Sequence, residues 1–158
     1  TVSVVKRYWH TVQIEITSRT PVGLWCVSGE CQFVDEAGTR WGVAPLSRGP
    51  LLLLVEDERA ERGREGEIWR GIRTSQALLI ELGLTVMRAR VLAESAMHVE
   101  LVIDKSYTLK LDMSQSVEDQ VRTLESYLSS RPDLSMATYL DLRTSQRVYV
   151  GKTPKTEQ

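Results

Sequence analysis

The stretch Tyr139–Gly151 reads Y-L-D-L-R-T-S-Q-R-V-Y-V-G, and how it divides decides how the chain ends. Two strand-like arms, Tyr139–Arg143 and Arg147–Val150, flank a polar connection of Thr144, Ser145 and Gln146. Leu140 and Leu142 fall on one face of the first arm, the alternation of a strand with one side in a core. The second arm is the last patterned segment before K-T-P-K-T-E-Q, which is expected to be a disordered tail over 152–158. A terminal strand is often an edge, and an edge offers unpaired N–H and C=O groups that another chain can complete. Arg147–Gly151 is therefore the expected exposed edge, and Tyr139–Arg143 an internal strand.

Reading back from this pair, Pro132 ends a helix predicted over Val117–Ser129. Its apolar stripe is Val117, Val121, Leu124 and Leu128, and Ser116 is its N-cap, with Asp119 three residues on in an acidic variant of the capping box. Three strands precede it: Thr85–Leu92, Met97–Ile103 and Tyr107–Leu111, the last two joined by a tight turn at Asp104, Lys105 and Ser106. Before them a helical period runs from about Arg64, with Ile68, Ile72, Leu79 and Leu82 on one face and Gly83 at C′. Trp69 flanks that face as a core or interdomain residue. The aliphatic run Leu51–Val55 supplies a further strand. The order β, α, β, β, β, α, β, β mixes crossovers with hairpins, which predicts an α+β fold with two helices against a mainly antiparallel sheet.

The first third of the chain reads as a small β meander. Val12, Ile14 and Ile16 alternate with polar residues, the period of a half-buried strand, and Val4, Val5, Tyr8 and Trp9 add apolar mass ahead of them. Val22–Cys26 turns through Val27, Ser28, Gly29 and Glu30 and returns as Cys31–Asp35; a turn at Asp35-Glu36-Ala37-Gly38 leads to Thr39–Val43. Pro45, Gly49 and Pro50 then mark a boundary, giving a first unit over 1–46 and a second over 51–151.

Composition sets the class. The chain has 158 residues, 42% hydrophobic and 26% charged, with a formal net charge of −1, the profile of a globular chain. At this size it buries roughly 70% of its unfolded surface and needs neither metal nor disulfide to fold. Lys and Arg are interleaved with acids, which argues against a nucleic-acid or anionic-membrane partner. The mixed stretch Glu56–Arg73 is read as a solvated linker and helix start. Leu51–Val55 is far too short to span a bilayer.

Little in the sequence points to catalysis. There is no G-x-S-x-G, no Gly-rich phosphate loop and no H-E-x-x-H. His10 and His98 have no ligand spacing to each other or to the cysteines, so no metal site is predicted and both are assigned to the surface or sheet. Cys26 and Cys31, with four residues between them on a predicted hairpin, would form a disulfide if the strands pair in that register, a bond that persists outside the cytoplasm; the other reading is two buried thiols. The residues by themselves describe a non-enzymatic binding or scaffold module without a cofactor.

Four segments in order resemble the extracytoplasmic part of the bacterial cell-division family FtsQ, also called DivIB. Val4–Trp25 is similar to the end of an FtsQ-type POTRA domain, although His10 replaces a Pro and Ser18 a Glu of the family motif. Phe33–Trp41, F-V-D-E-A-G-T-R-W, resembles the family's V-D-x-x-G segment, and Y-L-D-L-R and V-Y-V-G resemble its final strands. The resemblance implies a truncated POTRA-like meander followed by the FtsQ-type β domain. It implies a single-pass membrane protein with this part on the extracytoplasmic side, and a divisome scaffold whose partners are FtsB-like and FtsL-like proteins. By the same resemblance, Thr1 lies inside the POTRA domain. The partner-binding strand maps onto Arg147, Val148, Tyr149, Val150 and Gly151, with Thr144 and Ser145 as the preceding turn. The rival expectation is a POTRA-bearing module that handles outer-membrane or secreted polypeptides, also through an edge strand.

Overall fold

A computed structural model describes residues 2–7, 11–16, 18–45, 52–60, 63–95, 97–105, 107–144 and 146–152. In chain order these form β1 (Val2–Arg7), β2 (Thr11–Ile16), β3 (Gly23–Val27), β4 (Glu30–Val34), β5 (Arg40–Ala44), β6 (Leu53–Asp57), α1 (Glu65–Glu81), β7 (Val86–Val91), β8 (His98–Ile103), β9 (Thr108–Asp112), α2 (Val117–Ser129), β10 (Ala137–Asp141) and β11 (Tyr149–Lys152). Of the tail expected over 152–158, Lys152 is instead the last residue of β11, and 153–158, together with His10 and Ser145, lie outside the described residues.

Nine strands make one sheet in the order β11-β10-β9-β8-β7-β6-β3-β4-β5, while β1 and β2 pair with each other as a separate ribbon. Five junctions of the large sheet are antiparallel. The other three, β9 with β10, β3 with β6 and β6 with β7, are parallel. Helices α1 and α2 are the crossovers of two of these, because parallel neighbours need a long connection and antiparallel ones need only a turn. The fold is α+β, with a mainly antiparallel sheet and two helices.

Alternation along the strands sets the core. Val55, Ala89, Val99, Leu101, Leu109, Leu111 and Leu140 bury fully against Ile68, Ile72 and Leu79 of α1 and Leu124 of α2. Leu142 continues the inward face of β10 beyond its end, at 1% exposure. Helix α1 stops where Gly83 donates to Ile80 O (2.9 Å) and Leu84 to Leu79 O (2.9 Å), the paired bonds of a Schellman motif with glycine at C′. Helix α2 starts on Ser116, whose Oγ accepts the Asp119 N–H at 3.1 Å. Only that half of the capping box forms, since the Asp119 carboxylate takes Arg122 instead (2.6 Å).

Three expectations need correction. The sheet runs without a break across the boundary predicted at 45–50, because β3 pairs with β6; the change of sheet falls between β2 and β3. Trp69 strengthens that continuity: its ring lies on the main chain at Gly23 and Gly38, and its Nε1 donates to Glu36 O at 3.3 Å, so α1 is clamped to the β3–β5 meander. Next, Ile14 and Ile16 are exposed at 61% and 72%, not half-buried, because a two-stranded ribbon offers no second layer to cover them. Lastly, Asp57 and Arg59 are not part of a solvated linker. Asp57 is the last inward-facing residue of β6, and its carboxylate takes the Arg59 guanidinium at 2.7 and 2.8 Å and Trp25 Nε1 at 3.2 Å, all under cover.

Candidate partner-docking edge

The two ends of the sheet differ. At β5 the ladder to β4 shifts register between Cys31 and Phe33, and Gly42 sits in the bulge at φ 60°. A bulge of this kind disrupts the outer row of hydrogen-bonding groups and twists the edge away, which protects it against pairing. At β11 no such irregularity falls within the strand facing solvent; the bulge there is in β10, between Ala137 and Tyr139.

Which groups of β11 are free follows from its neighbours. Leu142 donates its N–H to Lys110 O on β9 (2.9 Å), so the even residues of β10 turn their polar groups toward β9. The odd residues, Tyr139 and Asp141, therefore face β11, where their register partners are Gly151 and Tyr149. Tyr149 and Gly151 spend their main-chain groups on β10. Val150, between them, points its N–H and C=O outward.

Side chains fix this strand in place. Val148 and Val150 pack on the core, while Tyr149 is half exposed. The Tyr139 ring lies directly over Gly151 and leaves no room for a Cβ there, and Lys110 Nζ sits 4.4 Å from the same ring's centroid. A groove beside α2 is lined by Arg122, Thr123, Ser126 and Tyr127 of the helix and by Gln146 and Val148 ahead of β11.

The connection itself is tied at its first residue. Arg143 donates through Nε and Nη2 to the two Asp141 oxygens (2.9 and 2.6 Å), its own N–H caps Asp141 Oδ1 (3.1 Å), and Nη1 reaches His98 Nδ1 at 3.1 Å. The Arg143 carbonyl accepts from Gln115 Nε2 at 2.8 Å. Burial pushes the Asp141 carboxyl up, but the Arg143 side-chain and backbone donors outweigh it and hold the group below the usual carboxylate range. The same D-x-R device closes β6 at Asp57 and Arg59, there on the helix side and buried.

Of the residues expected at the site, Tyr149, Val150 and Gly151 lie in β11, which extends to Lys152. Arg147 and Val148 precede the strand instead of opening it, because the turn reaches further: Arg147 N–H bonds Thr144 O at 3.4 Å and Gln146 has φ 67°. Cys26 and Cys31 stand far from this edge. They are direct register partners beside the two-residue turn Ser28-Gly29, both at positive φ as a type I′ hairpin requires, and they are joined by a disulfide. Asp141, Arg143 and Gln115 carry no site assignment in the sequence, and His98 is read there only as a surface or sheet residue. The i, i+2 spacing of Asp141 and Arg143 on one face of a strand was the available signal.

Among the described residues no group of three or more His, Cys, Asp or Glu is placed to hold a metal ion, and no helix is long and apolar enough to cross a membrane. Compared with known proteins, the chain matches no family model and no curated relative.

Proposed function

We propose that this chain is the extracytoplasmic part of an FtsQ/DivIB-type divisome scaffold, which has no catalytic role and binds FtsB-like and FtsL-like membrane proteins by strand addition at β11. The observation that carries the reading is the outward row of β11: a strand at the end of a nine-stranded sheet, unblunted, with the Val150 N–H and C=O unpaired within the sheet. A strand that pairs there gains main-chain hydrogen bonds for affinity, and takes its specificity from the side chains on either side of it. On the helix side these are Val148 and Tyr127; on the other, Tyr149. The Cys26–Cys31 disulfide supports an extracytoplasmic location, where such bonds persist. Attachment to the membrane would come from a segment outside this chain.

The test is titration of the chain with the FtsB-like protein of the same genome. Val150→Pro deletes an outward donor while leaving the β10 ladder on Tyr149 and Gly151 intact, since proline is tolerated on an edge whose N–H faces solvent. It should abolish binding without unfolding the chain, and Tyr149→Ala should weaken it. Equal binding by wild type and both variants removes strand addition at this edge.

A further inference from the structure

We infer that His98 and Arg143 form a proton-sensitive latch on the connection leading into β11, closed when the imidazole is neutral and opened by its protonation. This rests on β11 being the docking strand. Arginine has donors only, so the 3.1 Å contact between Arg143 Nη1 and His98 Nδ1 requires a lone pair on Nδ1 and places the ring proton on Nε2. Protonation puts a second donor, and a like charge, against the guanidinium. The contact cannot survive it.

The surroundings give the protonated ring somewhere to go. His98 stands opposite Asp112 in the β8–β9 register. Asp112 Oδ2 accepts from Gln115 Nε2 at 3.0 Å, and the same Gln115 nitrogen donates to the Arg143 carbonyl at 2.8 Å. An imidazolium turning toward Asp112 therefore competes with Gln115, the tie that holds the Arg143 main chain. One proton disturbs both the side-chain and the main-chain anchor of the connection, and leaves Asp141 as the guanidinium's remaining partner in this cluster.

The charged groups around the ring are Asp112 on β9, Asp141 and Arg143 at the end of β10, Glu94 in the β7–β8 loop, and Glu100 two residues along β8 on the same face. Glu100 is engaged by Arg90 (3.1 Å) and Lys110 (3.2 Å). Asp112 and Asp141 are both held below the usual carboxylate range: burial raises each, but hydrogen bonds from Ser114 in one case and Arg143 in the other lower it further. Both stay ionised between pH 5 and 8, the window in which an imidazole changes charge.

The experiment follows the isolated chain by NMR from pH 8 to 5. His98 ring shifts report its titration, and exchange of the Arg147 and Tyr149 amides, corrected for intrinsic pH dependence, reports the connection. Exchange should quicken about two- to tenfold with the His98 midpoint, the range that losing one ordinary hydrogen bond allows. His98→Asn keeps an acceptor oxygen near the Nδ1 position but cannot titrate, and should hold exchange flat. Unchanged exchange in wild type as His98 titrates, or the same quickening in His98→Asn, overturns the latch. A parallel titration with the FtsB-like protein should show affinity falling with the same midpoint in wild type alone. Absence of binding at every pH overturns the docking assignment, while the amide readout still decides the latch.

Discussion

Gly151 of β11 packs directly beneath a side chain of the neighbouring strand β10. With the Tyr139 ring seated on it, Gly151→Ala forces that ring aside. Overpacking of this sort costs about 1–3 kcal/mol. The displaced ring also gives up its contact with Lys110, worth about 0.5–1 kcal/mol at an exposed site and counted within that range. Alanine restricts the unfolded chain and returns about 0.4–1 kcal/mol. The net prediction is a loss of about 1–2 kcal/mol, read as a fall in melting temperature of about 2–8 °C and a lower urea midpoint at unchanged m-value. A double-mutant cycle isolates the cause. On a Tyr139→Ala background, Gly151→Ala should be neutral or stabilising, leaving a coupling of about 1 kcal/mol or more between two side chains in contact. Additive effects, or a single variant as stable as wild type, would refute the idea that Tyr139 needs glycine beneath it.

Other consequences can be checked by simple means. Asp57→Asn replaces the buried carboxylate that accepts from Arg59 and Trp25 with a neutral amide and should cost about 1.5–3 kcal/mol in chemical denaturation, the range for hydrogen bonds to a charged group. Burial raises the Asp57 carboxyl, but the Arg59 hydrogen bonds and charge depress it overall, so its stabilisation is complete above the ordinary carboxylate range and is lost as pH falls through the lowered value. Wild type should therefore lose stability on acidification more steeply than Asp57→Asn; parallel curves would contradict this. Leu124→Asp places a charge at a fully buried position of α2 and should unfold the chain by circular dichroism, so an unchanged melting temperature would sink the assigned stripe. Intact mass after alkylation without reductant should show no free thiol at Cys26 or Cys31; because the loop they close is short, reduction should cost about 2 kcal/mol or less.

The second half of the chain was legible because its signals are local. The stripe from Val117 to Leu128 and the cap at Ser116 place α2 at Val117–Ser129, and Gly83 marks the end of α1. Leu140 and Leu142 face the core as their alternation requires. What failed depended on distant partners. Pro45, Gly49 and Pro50 look like a boundary, yet β3 finds its neighbour in β6, across that punctuation, and nothing in either strand's own pattern announces a parallel partner some 30 residues away. Ile14 and Ile16 carry the alternation of a half-buried strand, but alternation cannot say whether a second layer exists. At the site, the edge strand was legible as a terminal apolar segment, and its free row was not: which amides face outward is fixed by a hydrogen bond between Leu142 and Lys110. The ties on Arg143 come from β8, from the turn ahead of α2 and from β10, which only the sheet order brings together.

The outer row of β11 is where the proposed partner strand would pair, and amide hydrogen exchange reads it directly. In the isolated chain the Val150 amide should exchange freely while those of Tyr149 and Gly151, bonded to β10, are protected. On adding the FtsB-like protein, Val150 should become protected and its two neighbours should change little. A Val150 amide that is slow in the isolated chain, or one that stays fast in a saturated complex, would contradict strand addition at this edge.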